Sequence, residues 1–260
     1  MLGAKLGITS KQYNILTDGL ILNYVPSFNE SYPGLDPSGD GIFNLASGSF
    51  TPTGSFTSTS LPGIDPSISG SGAGKFIALD GTDDWISFPL MWNGVQPTNM
   101  SFMDPIVASN EITINMWIYP NKINDGTTGI LGAYDWTAGK GMFDLRQINA
   151  TVSYLFIDGT SVPNISTTSD ILSASTWHNL TVTYDGSNIK IYLDGDIKLT
   201  DAYSGTLKTI SRRLYWGCQG GDTQAGDWDG NFGPFMVYDK ALTQEEITQN
   251  YNAIKDRYTN

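Results

Sequence analysis

Cysteine, histidine and glutamate are the scarce residues of this sequence. One Cys and one His occur in 260 residues, and of the 26 acids only Glu30, Glu111, Glu245 and Glu246 are glutamates. The lone Cys218 excludes an internal disulfide, and without a Cys/His cluster there is no tetrahedral zinc site. Any Ser-His-Asp chemistry would have to use His178, which follows Trp177 at the start of a strand and reads as a structural residue. Cys218 follows the aromatic strand Leu214-Tyr215-Trp216 and reads as a buried, inert thiol. Cations are also few. With 14 Lys plus Arg the formal charge is −12 and the pI about 4.3, so the clustered basic groups that track nucleic-acid phosphates are missing. No run approaches the roughly 20 apolar residues of a membrane-spanning helix. Met1 to Tyr13 carries two lysines but neither the apolar stretch nor the cleavage site of a signal peptide, so synthesis and folding in a cytoplasm are expected.

Turn formers and aromatics are abundant. There are 22 Asp, 29 Gly, 13 Tyr, 11 Phe and 7 Trp. Asp and Gly serve turns, aromatics serve strands, and an all-β fold is expected. Ile112, Ile114, Met116 and Ile118 alternate with Thr113, Asn115, Trp117 and Tyr119, predicting a strand with two distinct faces. Leu180–Tyr184 and Ile189–Leu193 flank Asp185-Gly186-Ser187-Asn188, predicting a β-hairpin. Further strands are expected at Leu20 to Tyr24, Lys75 to Asp80, Trp85 to Phe88, Gly129 to Tyr134, Met142 to Gln147, Val152 to Ile157, Arg213 to Cys218 and Phe232 to Tyr238. One helix closes the chain. Thr243 and Glu246 form a capping box, and Ile247, Tyr251, Ile254 and Tyr258 make one apolar stripe. Without strand-helix alternation the elements predict a two-sheet antiparallel jelly-roll sandwich with a C-terminal helix. Residues 1–16 read as an arm, and residues 17–260 as the domain, with a loop-rich insertion at about 26–74.

Four segments carry a family resemblance over roughly residues 18–258. They are Phe76-Ile77-Ala78-Leu79-Asp80-Gly81-Thr82-Asp83-Asp84-Trp85-Ile86, the strand Ile112 to Pro120, Trp177 to Gly186 running into Ile191 to Gly195, and Val237-Tyr238-Asp239-Lys240-Ala241-Leu242-Thr243-Gln244-Glu245-Glu246-Ile247. In this order they resemble the laminin-G-like, concanavalin-A-like jelly-roll domains. The opening Leu16-Thr17-Asp18-Gly19-Leu20 and the ending from Tyr251 to Tyr258 are similar to copies found in bacteriophage virion proteins, marine ones in particular. The resemblance implies the jelly-roll fold and hosts ranging from lectins to glycanases. It also implies calcium at a sheet rim in some members, for which Asp227, Asp229 and Asp84 are the candidate ligands here, with Asp222 and Asp83 nearby.

A glycosidase needs two facing carboxylates, and related glucanases carry a Glu-x-Asp-x-x-Glu strand that this chain lacks. Glu245 and Glu246 begin a helix, Glu30 sits in a loop, and Glu111 has no acidic partner two or five residues on. No hydrolytic role is expected. For glycan binding, aromatic platforms beside polar groups are expected at Tyr134, Trp136, Trp228 and Asp229, with Trp92-Asn93-Gly94 as a third segment; closing the ends of a sandwich core is the competing use of such rings. Five Asn-x-Ser/Thr sequons, at Asn29, Asn99, Asn149, Asn164 and Asn179, reflect an Asn/Thr-rich composition. The expected function is a non-enzymatic module of a phage particle, a capsid decoration, head fibre or tail-associated protein, anchored to other virion proteins through the residue 1–16 arm as an oligomer and contacting surface glycans. The alternatives are a free lectin with a calcium-assisted site and, last, a glycan hydrolase.

Overall fold

A computed structural model describes residues 14–26, 67–69, 74–82, 84–88, 104–123, 126–135, 140–156, 164–208, 214–219 and 226–259. Among them are fourteen strands: β1 (Leu20–Tyr24), β2 (Ser67–Ser69), β3 (Phe76–Asp80), β4 (Ile86–Phe88), β5 (Ile112–Pro120), β6 (Thr127–Asp135), β7 (Lys140–Ile148), β8 (Thr151–Phe156), β9 (Asn164–Ser166), β10 (His178–Tyr184), β11 (Asn188–Leu193), β12 (Asp196–Ala202), β13 (Leu214–Trp216) and β14 (Asp229–Tyr238). Two α-helices, α1 (Asp104–Ser109) and α2 (Gln244–Ile254), accompany them, and a 3-10 turn, Lys255–Arg257, extends α2. An eight-stranded sheet runs β12-β11-β10-β5-β14-β3-β2, with β1 also on β14. A six-stranded sheet runs β4-β13-β6-β7-β8-β9. Every pairing is antiparallel, as a chain without strand-helix alternation requires.

The core lies between the sheets. Ile112, Ile114, Met116 and Ile118 of β5 join Leu180 and Val182 of β10 on one side; Ile130, Phe143, Leu145, Tyr154 and Trp216 close it from the other. The opposite face of β5 is buried too, because α2 lies over it. Trp117 packs in a second cluster with Ile247, Ile254, Tyr258 and Tyr238. The stripe anticipated on α2 is therefore what docks it to the outer face of the eight-stranded sheet. Its start is set by the expected capping box, in which the Glu246 backbone N–H donates to the Thr243 hydroxyl and the Thr243 N–H donates to the Glu246 carboxylate at 2.9 Å. The β10–β11 hairpin also forms as expected: Asp185 Oδ1 accepts the Ser187 and Asn188 N–H groups at 3.0 and 2.7 Å, and Gly186 takes φ +83°.

The N-terminal boundary differs from expectation. Residues 14–16, assigned to the arm, belong to the domain: Ile15 is buried, the Leu16 N–H donates to Asn250 Oδ1 at 2.8 Å, and the Tyr238 hydroxyl donates to the Leu16 carbonyl at 3.1 Å. Two apolar residues and two hydrogen bonds tie this segment to α2 and β14. Residues 1–13, and 27–66 and 70–73 of the anticipated insertion, lie outside the described residues.

Candidate functional site

Period-two alternation decides which side chains of the 226–231 segment reach solvent. Trp228 turns inward. Its ring is 1% exposed, stacks on Phe232 with centroids 4.5 Å apart, and its Nε1–H donates to Gln147 Oε1 at 2.8 Å. Gly230 makes room for it, since a Cβ there would stand 2.6 Å from the indole edge. The expectation that Trp228 is a sugar platform is thus corrected: an indole with both faces packed and its only donor satisfied belongs to the core.

Asp229 and Asn231 turn outward, and with them the site changes place. On the outer face of the eight-stranded sheet, β14 pairs Asp229 with Asp80 and Asn231 with both Ala78 and Tyr119, while the His178–Ile118 register brings Trp177 beside Tyr119. Tyr119 and Trp177 stand 5.4 Å apart at 55°, and Phe76 meets Trp177 edge-on at 5.6 Å. All three rings are half-buried, as are Asn231 and Asp229, whereas Asp80, Asn121 and Lys122 are exposed. Tyr258 backs the cluster: its ring lies 4.6 Å from Trp177, and its hydroxyl donates to the Lys75 carbonyl at 2.9 Å. Gly233 leaves space beneath the rings, because a Cβ would approach Trp117 at 2.9 Å and Tyr258 at 3.1 Å. The surface thus has a firm base beneath three half-buried rings.

Next to the rings lies a polar row. Asp229 is held by both oxygens, Oδ1 accepting from Asn121 Nδ2 at 2.7 Å and Oδ2 paired with Lys122 Nζ at 2.7 Å. Asp80 accepts the Thr82 N–H at 2.8 Å, and its own N–H donates to Asp84 Oδ2 at 3.0 Å. Gly81, at φ +73°, allows this turn to sit against Asp229, since a Cβ would lie 2.6 Å from the Asp229 Cβ. Asn231 donates no side-chain hydrogen bond to any described residue. Rings with C–H-compatible faces, an amide with a free donor, and fixed carboxylate acceptors suit a polyhydroxylated ligand with an apolar side.

The other expected residues fall differently. Tyr134 lies on β6, paired with Gly141, with its side chain outside the described set. Trp136, Trp92-Asn93-Gly94, Asp83 and Asp222 lie outside the described residues. The calcium ligands Asp227, Asp229 and Asp84 do not converge: among the described residues no three metal-capable side chains form a group. Asp84 is buried against the Asp80 N–H and Asp229 is taken by Asn121 and Lys122, so this donor set does not fit a calcium ion with its six to eight oxygens. His178 is structural. Its Nε2 accepts the Ser173 N–H at 3.1 Å, which leaves Nδ1 as the donor to Asp194 Oδ2 at 3.0 Å. Cys218 is fully buried, and desolvation, with Asp227 and Asp144 nearby, pushes its thiol far up. Glu111 accepts the Ala241 N–H at 3.0 Å, and Glu246 serves the helix cap and Lys240.

The opposite outer surface carries an ion pair that sequence reading passed over. Asp144 and Arg146, two apart on β7, share one face of the six-stranded sheet, Nη2 to Oδ2 at 2.6 Å and Nε to Oδ2 at 2.9 Å. The Asp144 side chain is wholly buried, so desolvation raises its pKa against the pull of Arg146. It is covered, whereas Phe76, Tyr119 and Trp177 keep part of their surface exposed.

Tyr119 was visible as a strand residue and Trp177 as the residue before the strand that His178 begins; what sequence could not supply was their meeting. Their signal is the face that Tyr119 shares with Trp117 and the placement of Trp177 one residue before β10.

A family model described as the Concanavalin A-like lectin/glucanases superfamily matches residues 80–248. No curated protein matches the sequence. Among solved structures, the receptor binding domain of botulinum neurotoxin C/D mosaic serotype superposes with a TM-score of 0.61 at 13% identity, over 91% of this chain and 52% of that one. A botulinum neurotoxin type C structure, described as dependent for cell entry on two ganglioside molecules, gives 0.64 at 12% identity over 95% and 53%. The serotype D ligand binding domain in complex with N-acetylneuraminic acid gives 0.60 at 13% over 93% and 52%. The chain spans about half the length of these structures, and at such identities the likeness is one of fold. With more than half of its length matched by the family model and two antiparallel sheets closed over one core, the chain belongs to the concanavalin A-like lectin/glucanase superfamily.

Proposed function

We propose that this protein is a non-enzymatic adhesion module that binds glycans through the ring surface of Phe76, Tyr119 and Trp177 with Asn231. The observation that carries the reading is the half-buried triplet of rings beside an amide and fixed carboxylates, on the outer face of the eight-stranded sheet beside α2. The neighbours in fold, described with gangliosides and N-acetylneuraminic acid, support a glycan only as a class of ligand. The structural employment of Glu111 and Glu246 supports a role in recognition rather than bond breaking. The resemblance to phage virion proteins supports a place on a particle as a capsid decoration, head fibre or tail-associated protein, with residues 1–13 as the anchor.

The binding site is tested on a glycan array. Trp177→Ala is expected to lose the signal of the wild-type chain, and Asn231→Ala to weaken it about tenfold, the loss of one good hydrogen bond with no change in melting temperature. Wild-type binding retained in both variants would refute the site. The anchor is tested separately. Deleting residues 1–13 is expected to abolish incorporation into purified particles while the domain stays folded; unchanged incorporation would count against it.

A further inference from the structure

We infer that this ring surface selects uncharged pyranoses and rejects sialylated ones, an inference that rests on the glycan reading above. The row bordering the rings is acidic. Asp80 and Asp229 stand opposite each other on β3 and β14, and Asp84 lies directly behind Asp80, its Oδ2 accepting the Asp80 N–H at 3.0 Å. The cation of this row, Lys122, is held by Asp229 at 2.7 Å, and the second Asp229 oxygen is held by Asn121. A sugar carboxylate stacked on Trp177 and Tyr119 would face Asp80 and Asp229, whose neighbouring cation, Lys122, is already paired with Asp229, so the excess of like charge would oppose binding. The chain's net charge of −12 adds repulsion at longer range.

A neutral pyranose meets the same groups favourably. Its C–H face covers the rings, its hydroxyls donate to the exposed Asp80 carboxylate, and Asn231 offers a donor and an acceptor. Carboxylate acceptors that outnumber the cation beside them favour hydroxyl groups over anions. Because the discrimination is electrostatic, it weakens as salt shortens the screening length from about 10 Å at 0.1 M.

The experiment uses the full chain on immobilised oligosaccharides presented in pairs, each neutral core with and without terminal N-acetylneuraminic acid. Wild type is expected to prefer the neutral member at least tenfold, the preference narrowing in 0.5 M salt and in Asp80→Asn. Equal or stronger binding of the sialylated member, lost in Trp177→Ala, would overturn the inference and leave the site standing. A neutral preference unchanged in Asp80→Asn and in salt would overturn its charge basis. Absence of any binding that Trp177→Ala removes would overturn both the inference and the proposed function.

Discussion

Neighbouring residues have opposite fates here, and Trp228 and Asp229 show why. Adjacent side chains of an extended chain point to opposite faces, so of Trp228, which immediately precedes β14, and Asp229, which begins it, the core claims the first and the outer surface keeps the second. Truncating Trp228 should therefore damage the fold, not ligand recognition. Trp228→Ala is expected to cost about 3–5 kcal/mol in urea unfolding, the usual loss for a buried aromatic. A cost below about 1 kcal/mol would show that the ring is not the core member described. The composition of the segment Gly226-Asp227-Trp228-Asp229-Gly230-Asn231 marks it as aromatic and acidic but does not say which side chain turns inward. That depends on where β14 joins β3 and β5, a long-range register no local pattern encodes. Asp144 and Arg146 were hidden for a related reason: as i and i+2 residues they share a face, but only the folded sheet shows that the face is covered.

At the scale of elements, the strongly patterned segments were readable and the weak ones were not. β5, the β10–β11 hairpin and α2 follow their periodicities to within a residue or two, because each has a face that must be buried. β12 was missed since its Asp-Ile-Lys-Leu-Thr-Asp-Ala run is exposed along almost its whole length. β2 and β9, three residues each, are too short to show a period. α2 gives a pH-dependent prediction. Burial opposes ionisation of Glu246, but the Thr243 N–H and Lys240 outweigh it and hold its carboxyl below the ordinary value of 4.5. A carboxylate whose folded value is depressed contributes stability above its unfolded value and loses it as pH falls through the folded one. Urea unfolding followed from pH 7 into acid should thus show wild type converging on Glu246→Gln below about pH 4.5, whereas parallel curves would contradict the assignment. Asp144, whose carboxyl is raised by desolvation, has the opposite slope in both proteins and cancels in the comparison. Thr243→Ala should cost about 1 kcal/mol through the lost cap.

For the whole molecule, the arrangement of layers decides what is left for recognition. One sheet face is sealed against its partner sheet, α2 with residues 14–16 covers much of the opposite face of the eight-stranded sheet, and the rings of Phe76, Tyr119 and Trp177 remain at its open end. Sequence foresaw the sandwich and the helix; it placed the aromatic partners on loops because it could not see Trp177 folded beside Tyr119. Because Ile15 and Leu16 pack under α2, removing residues 1–16 should lower the melting temperature by several degrees, whereas removing 1–13 should not; equal melting temperatures would deny the docked segment its role. The central claim is tested most directly by the indole N–H resonances of the 7 tryptophans during titration with a neutral oligosaccharide. The Trp177 signal is expected to shift and saturate while that of buried Trp228 stays still, and a titration that leaves Trp177 unmoved as other indoles shift would contradict the account.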